Sequence, residues 1–316
     1  MHVVDNPQVH VVAAVLFDAL GNVLLAQRPA GKHMAGYWEF PGGKLEPSEA
    51  PLDALRRELI EEIGVRIRAA EPLIRIPWNY PEKRILLDVY LVRDFDGVPH
   101  SREGQALQWT PVNALDPAQM PAADHPVVNA LRLPHEYLVT PEPDTDTERF
   151  LRRMKHALDG GVRLVQLRAK HFPEEDLRSL ASRALALTRT AGAQLLINAR
   201  ADLAIALDLD GVHVTAEQLC ALKERPVPVR QWFAASCHNR KEIELAQRLG
   251  VDFITVGAVN ATPTHPSATP LDWYRFAQLC ESSVVPVYAL GGVSRKDLET
   301  ARCSGAQGIA AIRGLW

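Results

Sequence analysis

Three glutamates, Glu58, Glu61 and Glu62, fall within a turn and a half of one helical stretch, "GGKLEPSEAPLDALRRELIEEIGV" (Gly42 to Val65), and Glu49 stands at its start. Like charges at helical spacing destabilise a helix by about a few tenths of a kcal/mol per pair. A bound cation would compensate. Successive helical residues turn about 100°, so the three carboxylates share one arc, beside an apolar arc of Leu52, Leu55, Leu59 and Ile63. At the edge of a buried face several carboxylate oxygens can converge on one point, and hard oxygen ligands select Mg²⁺ or Mn²⁺, which in turn bind phosphate oxygens. An isolated string of this kind also suits a solvated helix face with Arg56 and Arg57 as partners.

The elements that must carry this helix can be read on either side of it. "VHVVAAVLFD" and "DALGNVLLAQR" read as two strands joined at Gly21-Asn22, a hairpin signal. A Gly- and Pro-rich loop, "RPAGKHMAGYWEFPGGKLEP", leads into the helix, for which Ser48 is the expected N-cap, Pro51 the first-turn residue and Gly64 the stop. "RILLDVYLVRDF" is a further strand and "VVNALRLP" a short helix, which together argue an α+β sandwich.

From Glu136 the rhythm changes. Eight apolar runs ("YLVT", "RLVQLR", "QLLIN", "GVHV", "WFAASC", "DFITVG", "VPVYAL", "GIAAI") alternate with helical segments such as "EEDLRSLASRALALTRTAG". Continuous apolar strands mean a parallel sheet buried on both faces, and eight of them point to a (β/α)₈ TIM barrel. "GIAAIRGLW" leaves no room for an eighth helix. The expected organisation is two domains, residues 1–133 and 134–316. The missing helix predicts an apolar strip covered by the first domain or, in a homodimer, by a second copy, with Trp316 in the contact.

A chain of 316 residues with 47% hydrophobic and 23% charged residues is globular in type. Its longest apolar runs are too short for a membrane span, and no signal peptide is legible, so a cytoplasmic protein is expected. Cys220, Cys237, Cys280 and Cys303 form no CxxC pair and read as buried reduced thiols. Residues up to Leu133 carry 13 Lys+Arg against 17 Asp+Glu, and the remainder 22 against 21. Neither part has the excess basic charge of a surface that tracks duplex nucleic acid.

From Gly43 through Glu49 to "RELIEEIGV" the spacing is GX₅EX₇REUXEEXGU, with U an aliphatic residue. This resembles the Nudix hydrolases, over about the first 133 residues, and within them the MutT (8-oxo-dGTP diphosphatase) type. The resemblance implies an Mg²⁺- or Mn²⁺-dependent cleavage of nucleoside triphosphates to NMP and pyrophosphate. It implies Glu58, Glu61 and Glu62 as catalytic metal ligands, with Glu58 also a general base, the Gly42 carbonyl as a backbone ligand, and Glu49 paired with Arg57. "REGQALQW" supplies Glu103 as a further ligand or base. "HMAGYWEFPGGK" resembles the nucleotide loop, so Arg28, His33 and Glu39 would contact the nucleotide and Phe40 would line the base pocket. Asp124, in "MPAADHPVVNAL", stands where MutT has a base-reading asparagine. An ionised aspartate only accepts hydrogen bonds, which puts oxidised-base specificity in question.

The second half resembles the thiamine-phosphate synthase/TenI family in "YLVT", "VQLRAK", "INAR", "DGVHV", "SCHN", "ALGG" and "GIAAI". Ala199 and Gln218 stand where the synthase has metal aspartates, and Arg313 where it has a serine, so synthase activity is not expected of this barrel. Arg168, Lys170, Asn198, His238, Gly291 and Gly292 remain as barrel candidates. A thiamine-pathway hydrolase with a thiazole-binding or tautomerase barrel is the alternative reading.

Overall fold

The computed structural model describes residues 8–31, 33–144, 146–262 and 269–316. The chain divides into two compact units, Met1–Arg132 and Leu133–Trp316.

The first unit runs β1 (Gln8–Leu16), β2 (Asn22–Gln27), β3 (Trp38–Glu39), β4 (Gly42–Lys44), α1 (Pro51–Ile63), β5 (Arg66–Asn79), β6 (Arg84–Asp96), β7 (Leu107–Pro111) and α2 (His125–Arg132). Two sheets form, ordered β4-β1-β6-β5 and β3-β2-β7. Strand β1 is central: it pairs with β6 in parallel from Gln8↔Arg84 to Leu16↔Val92, and with β4 antiparallel. Its apolar run is buried on both faces, and Val12, Ala14 and Leu16 pack with Leu55, Leu59 and Ile63 of α1. Each fully buried Leu or Ile contributes roughly 2 kcal/mol, so this contact anchors the glutamate helix.

Three local expectations from the sequence do not hold. The segment Gly21-Asn22 does form a tight turn, with Asp18 accepting from Leu20 N, Asn22 N and Asn22 Nδ2. Yet β1 and β2 do not pair as a hairpin; they lie in different sheets, and an isolated antiparallel bridge just past β1, Phe17↔Val23, flanks the turn. Helix α1 is capped by Ala50 without a side-chain bond, because Ser48 sits in the left-handed region (φ 66°) of the preceding turn. Gly64, also left-handed at φ 72°, ends the helix as expected. Leu52 is exposed, and Ala54 takes the fourth buried position.

The second unit is a closed parallel barrel. Its strands are β8 (Glu136–Val139), β9 (Leu164–Leu167), β10 (Gln194–Asn198), β11 (Gly211–Val214), β12 (Trp232–Cys237), β13 (Phe253–Gly257), β14 (Val287–Leu290) and β15 (Gly308–Ala311). Between them lie α3 (Thr147–Asp159), α4 (Glu174–Thr190), α5 (Ala201–Ala206), α6 (Ala216–Ala221), α7 (Arg240–Arg248), α8 (Asp272–Cys280) and α9 (Leu298–Cys303). Every apolar run singled out in the sequence is one of these strands. Among the described residues no helix follows β15. The chain instead turns back, burying Leu315, and lays the Trp316 ring 5.0 Å from Phe150 of α3. Trp316 therefore packs on its own unit. Two of the four cysteines, Cys220 and Cys303, are exposed rather than buried, and all four are free. Among the described residues no helix is long and apolar enough to cross a membrane.

Candidate functional sites in the two units

Around α1 the glutamates are held by specific partners. Arg57 reaches Glu49 with two nitrogens (Nε to Oε1 3.0 Å, Nη2 to Oε2 2.8 Å) and donates to the Lys44 carbonyl, which ties the loop to the helix. Its Nη1 also reaches Glu58 (2.8 Å) and Glu61 (3.3 Å). The Glu58 carboxylate lies against the bare Cα of Gly43, where an added Cβ would come within 2.2 Å of it. Glu62 accepts from Gly42 N at 2.9 Å. Burial pushes the Glu62 carboxyl up to about 7; the Gly42 N–H opposes this, and the negative charges of Glu39 and Glu103 add to it.

Among the described residues no three His, Cys, Asp or Glu side chains stand ready as a coordination shell. Arg57 serves as counter-ion for Glu58 and Glu61 in this arrangement. The donor chemistry nevertheless fits Mg²⁺ or Mn²⁺: the groups around α1 are oxygens, Gly43 leaves a cradle for Glu58, and Glu62 is half-buried beside like charges that a cation would offset.

Beside this cluster lies the loop after β2. Arg28 forms an ion pair with Glu39 and donates from Nε to the His33 carbonyl (2.7 Å). The His33 ring is exposed, 3.5 Å from Glu82. Phe40 is buried, and so is Asp124. Burial raises the Asp124 carboxyl well above the usual carboxylate range, the charge of Glu39 adds to this, and Arg28 opposes it. Tyr80, which the sequence did not single out, belongs here too. Burial raises its hydroxyl, a backbone hydrogen bond from Ala123 opposes this, and Asp124 is close enough to add to the shift.

In the barrel, the interior has two layers. At the base Tyr137, Leu164, Leu196, Phe253 and Tyr288 close the cylinder, with Leu133 packed among them. Above them stands a polar layer that sequence reading missed. Gln166 Nε2 donates to Asn198 Oδ1 (3.0 Å), and His213 bridges Tyr137 Oη (2.9 Å) to Ser236 Oγ (2.9 Å). A partial signal was present: Gln166, Asn198 and Ser236 each stand two positions after an inward apolar residue (Leu164, Leu196, Ala234), whereas His213 follows Gly211 and carries no such mark. Burial lowers His213 to about 3, so its imidazole is neutral.

The mouth residues are arranged less favourably for charge. Arg168 Nη1 lies 3.5 Å from Glu142, whose oxygens accept the Lys170 and His171 N–H groups (3.0 and 2.7 Å). Glu142 thus organises this loop, although nothing in its spacing marked it. Ala199 adopts φ 67°, unusual for a residue with a side chain. Gln218 is engaged in a capping box with Thr215. His238 is exposed and paired with Glu242 (3.0 Å), outside the polar layer. Gly291 and Gly292 are both left-handed, and a Cβ on either would strike the Ala258–Ala261 segment.

A family model described as "NUDIX domain" matches residues 12–130, and one described as "Thiamine monophosphate synthase" matches residues 136–315, over half of the chain. The 8-oxo-dGTP diphosphatase of Haemophilus influenzae is 39% identical over 127 residues, 40% of this chain and 93% of that protein. The chain is a Nudix protein and a thiamine monophosphate synthase-family protein in one. A putative thiamine-phosphate synthase 2 of Aquifex aeolicus is 35% identical over 182 residues, 58% of this chain and 97% of that relative. A putative thiamine-phosphate synthase of Geobacter sulfurreducens is 36% identical over 181 residues, 57% of this chain and 85% of that relative. The Nudix unit holds the glutamate helix and its loops, and the synthase-family barrel holds the polar layer and the mouth. Each unit matches nearly the full length of a relative on its own.

Proposed function

We propose that the Nudix unit is a metal-dependent nucleoside triphosphate pyrophosphohydrolase of the 8-oxo-dGTP diphosphatase kind. The observation that carries this reading is the half-buried Glu62 carboxylate, held by Gly42 N beside Glu39 and Glu103, next to Glu58 on its glycine cradle. Glu58, Glu61, Glu62, Glu103 and the Gly42 carbonyl would hold Mg²⁺ or Mn²⁺. The ion, when bound, acidifies water and neutralises phosphate charge. Glu58 would take the proton of the attacking water as the phosphoanhydride bond breaks and pyrophosphate leaves. The Arg57–Glu49 clamp fixes the loop that carries Gly42 and Gly43. Arg28, His33 and Glu39 would face the nucleotide, Phe40 would back its base, and Asp124 would read the purine edge.

The barrel, in this reading, binds a ligand rather than completing a synthase. Support comes from the methyl of Ala199 and from Gln218, whose amide is taken up in its capping box. The neutral amides of Gln166 and Asn198, joined by a single hydrogen bond, would offer their remaining donors and acceptors to an uncharged polar ring, while His213 holds the layer through Tyr137 and Ser236.

A hydrolysis screen of the full chain with Mg²⁺ and Mn²⁺ tests the proposal, using 8-oxo-dGTP, the canonical dNTPs and thiamine pyrophosphate. Release of pyrophosphate from 8-oxo-dGTP is expected, with Glu62→Gln lowering kcat by about 100-fold or more as charge stabilisation is lost. Full activity of Glu62→Gln would overturn the site. Preference for thiamine pyrophosphate would move the substrate to the thiamine-linked alternative. A synthase assay giving turnover would overturn the reading of the barrel.

A further inference from the structure

Glu103 lies on a loop without regular secondary structure, between β6 and β7, yet it must be placed against Glu62 on α1. One buried side chain spans the gap. Gln105 Oε1 accepts from Glu103 N (3.0 Å) and from Ser101 Oγ (2.8 Å), while its Nε2 donates to the Glu62 carbonyl (3.0 Å) and approaches Glu62 Oε1 (3.5 Å). Gln105 is 6% exposed, and both ends of its amide are engaged. Only an amide of this length supplies an acceptor toward the loop and a donor toward the helix at once. Gly104, left-handed at φ 83°, lets the chain curl around that amide.

We propose that Gln105 is the positioning residue that sets Glu103 against Glu62, so that both carboxylates face one cation. The proposal rests on the hydrolase reading above for the purpose of the cluster, but its geometry stands separately. Residues that orient metal ligands from behind commonly change metal affinity or activity by about 10–100-fold when replaced.

The test compares full-length Gln105→Met, Gln105→Asn and Ser101→Ala with the wild type. Three quantities are read: Mn²⁺ affinity by electron paramagnetic resonance titration, kcat and KM on 8-oxo-dGTP, and the melting temperature without metal. Gln105→Met should weaken Mn²⁺ binding by about tenfold and lower kcat by about tenfold or more, with KM changed by less than about threefold. Gln105→Asn, too short to reach both partners, should show the same pattern at smaller size, and guards against a Met variant that does not fold. Ser101→Ala removes a hydrogen bond from the same amide oxygen without touching Glu62 or Glu103. It should leave Mn²⁺ affinity and kcat at wild-type values. Three outcomes would overturn the proposal: wild-type Mn²⁺ affinity in a folded Gln105 variant, equal losses in Ser101→Ala, or recovery of kcat on cooling. A wild type that binds Mn²⁺ but hydrolyses no nucleotide would overturn the hydrolase reading instead, and the affinity comparison would still decide the role of Gln105.

Discussion

Asp124 is a carboxyl group placed where ionisation is costly. Buried, and beside the charge of Glu39, it favours its protonated form. A protonated carboxyl both donates and accepts, as an amide does. Asp124→Asn should therefore keep selectivity between 8-oxo-dGTP and dGTP within about threefold, whereas Asp124→Ala should cost selectivity more than turnover. Competition assays with the two nucleotides check this. The sign for stability follows from linkage. A carboxyl raised by folding binds its proton more tightly in the native state, so the wild-type unit loses stability as pH rises above the unfolded value near 4. Asp124→Asn lacks that loss and should gain on the wild type as pH rises above about 4 in urea unfolding. Single-residue reading could single out Glu58 and Glu62 because their spacing along one helix is local. It failed for Tyr80, Gln105 and Glu142, whose roles come from chain segments brought near in space.

Helix α1 and its entry loop act as one element, because Arg57 grips Glu49 and Lys44 while Gly43 receives Glu58. Gly43 has no positive φ, so its constraint is the close approach alone. Gly43→Ala should force the Glu58 carboxylate to move, lowering kcat by about tenfold or more while the apolar face of α1 keeps the fold. Steady-state kinetics and a melting curve separate the two effects; a wild-type kcat would show that Glu58 has no fixed place in the chemistry. The helix was legible because its signals are local: Pro51 at the start, Gly64 at the stop, and apolar residues on one face. Sheet partners were not. Strand β1 reads as half of a hairpin with β2, but its partners are Gly42–Lys44 and Arg84–Val92, and no local pattern announces a pairing across some seventy residues.

At the scale of the whole chain, the alternation of eight apolar runs with helices was enough to reveal the barrel. What filled it was not legible as a set, since each polar residue of the inner layer comes from a different strand. His213 gives that layer a measurable consequence. Its imidazole titrates near 6.5 when unfolded and about 3 when folded, so the unfolded chain takes up a proton first as pH falls. The barrel should lose stability between about pH 6.5 and 3, by at most about 1.4 kcal/mol per pH unit from this group. His213→Gln, able to hydrogen-bond but not to titrate, should remove that part of the slope in denaturant unfolding across the window. Equal slopes would mean that His213 is not buried neutral.

The ring of strands closes where β15 meets β8, with Ala310 beside Tyr137, and this seam has a consequence for synthesis. The Nudix unit has all its strands once Arg132 has been made, so it can fold while the ribosome is still adding the barrel. The barrel has no such freedom. Until Gly308–Ala311 emerges, β8 lacks one neighbour and the edge of β14 is open to wrong pairing. Stalled nascent chains ending before residue 308 should therefore show a protease-resistant first unit and a protease-sensitive second one. Release of the last strand should convert the second to resistance in a single step.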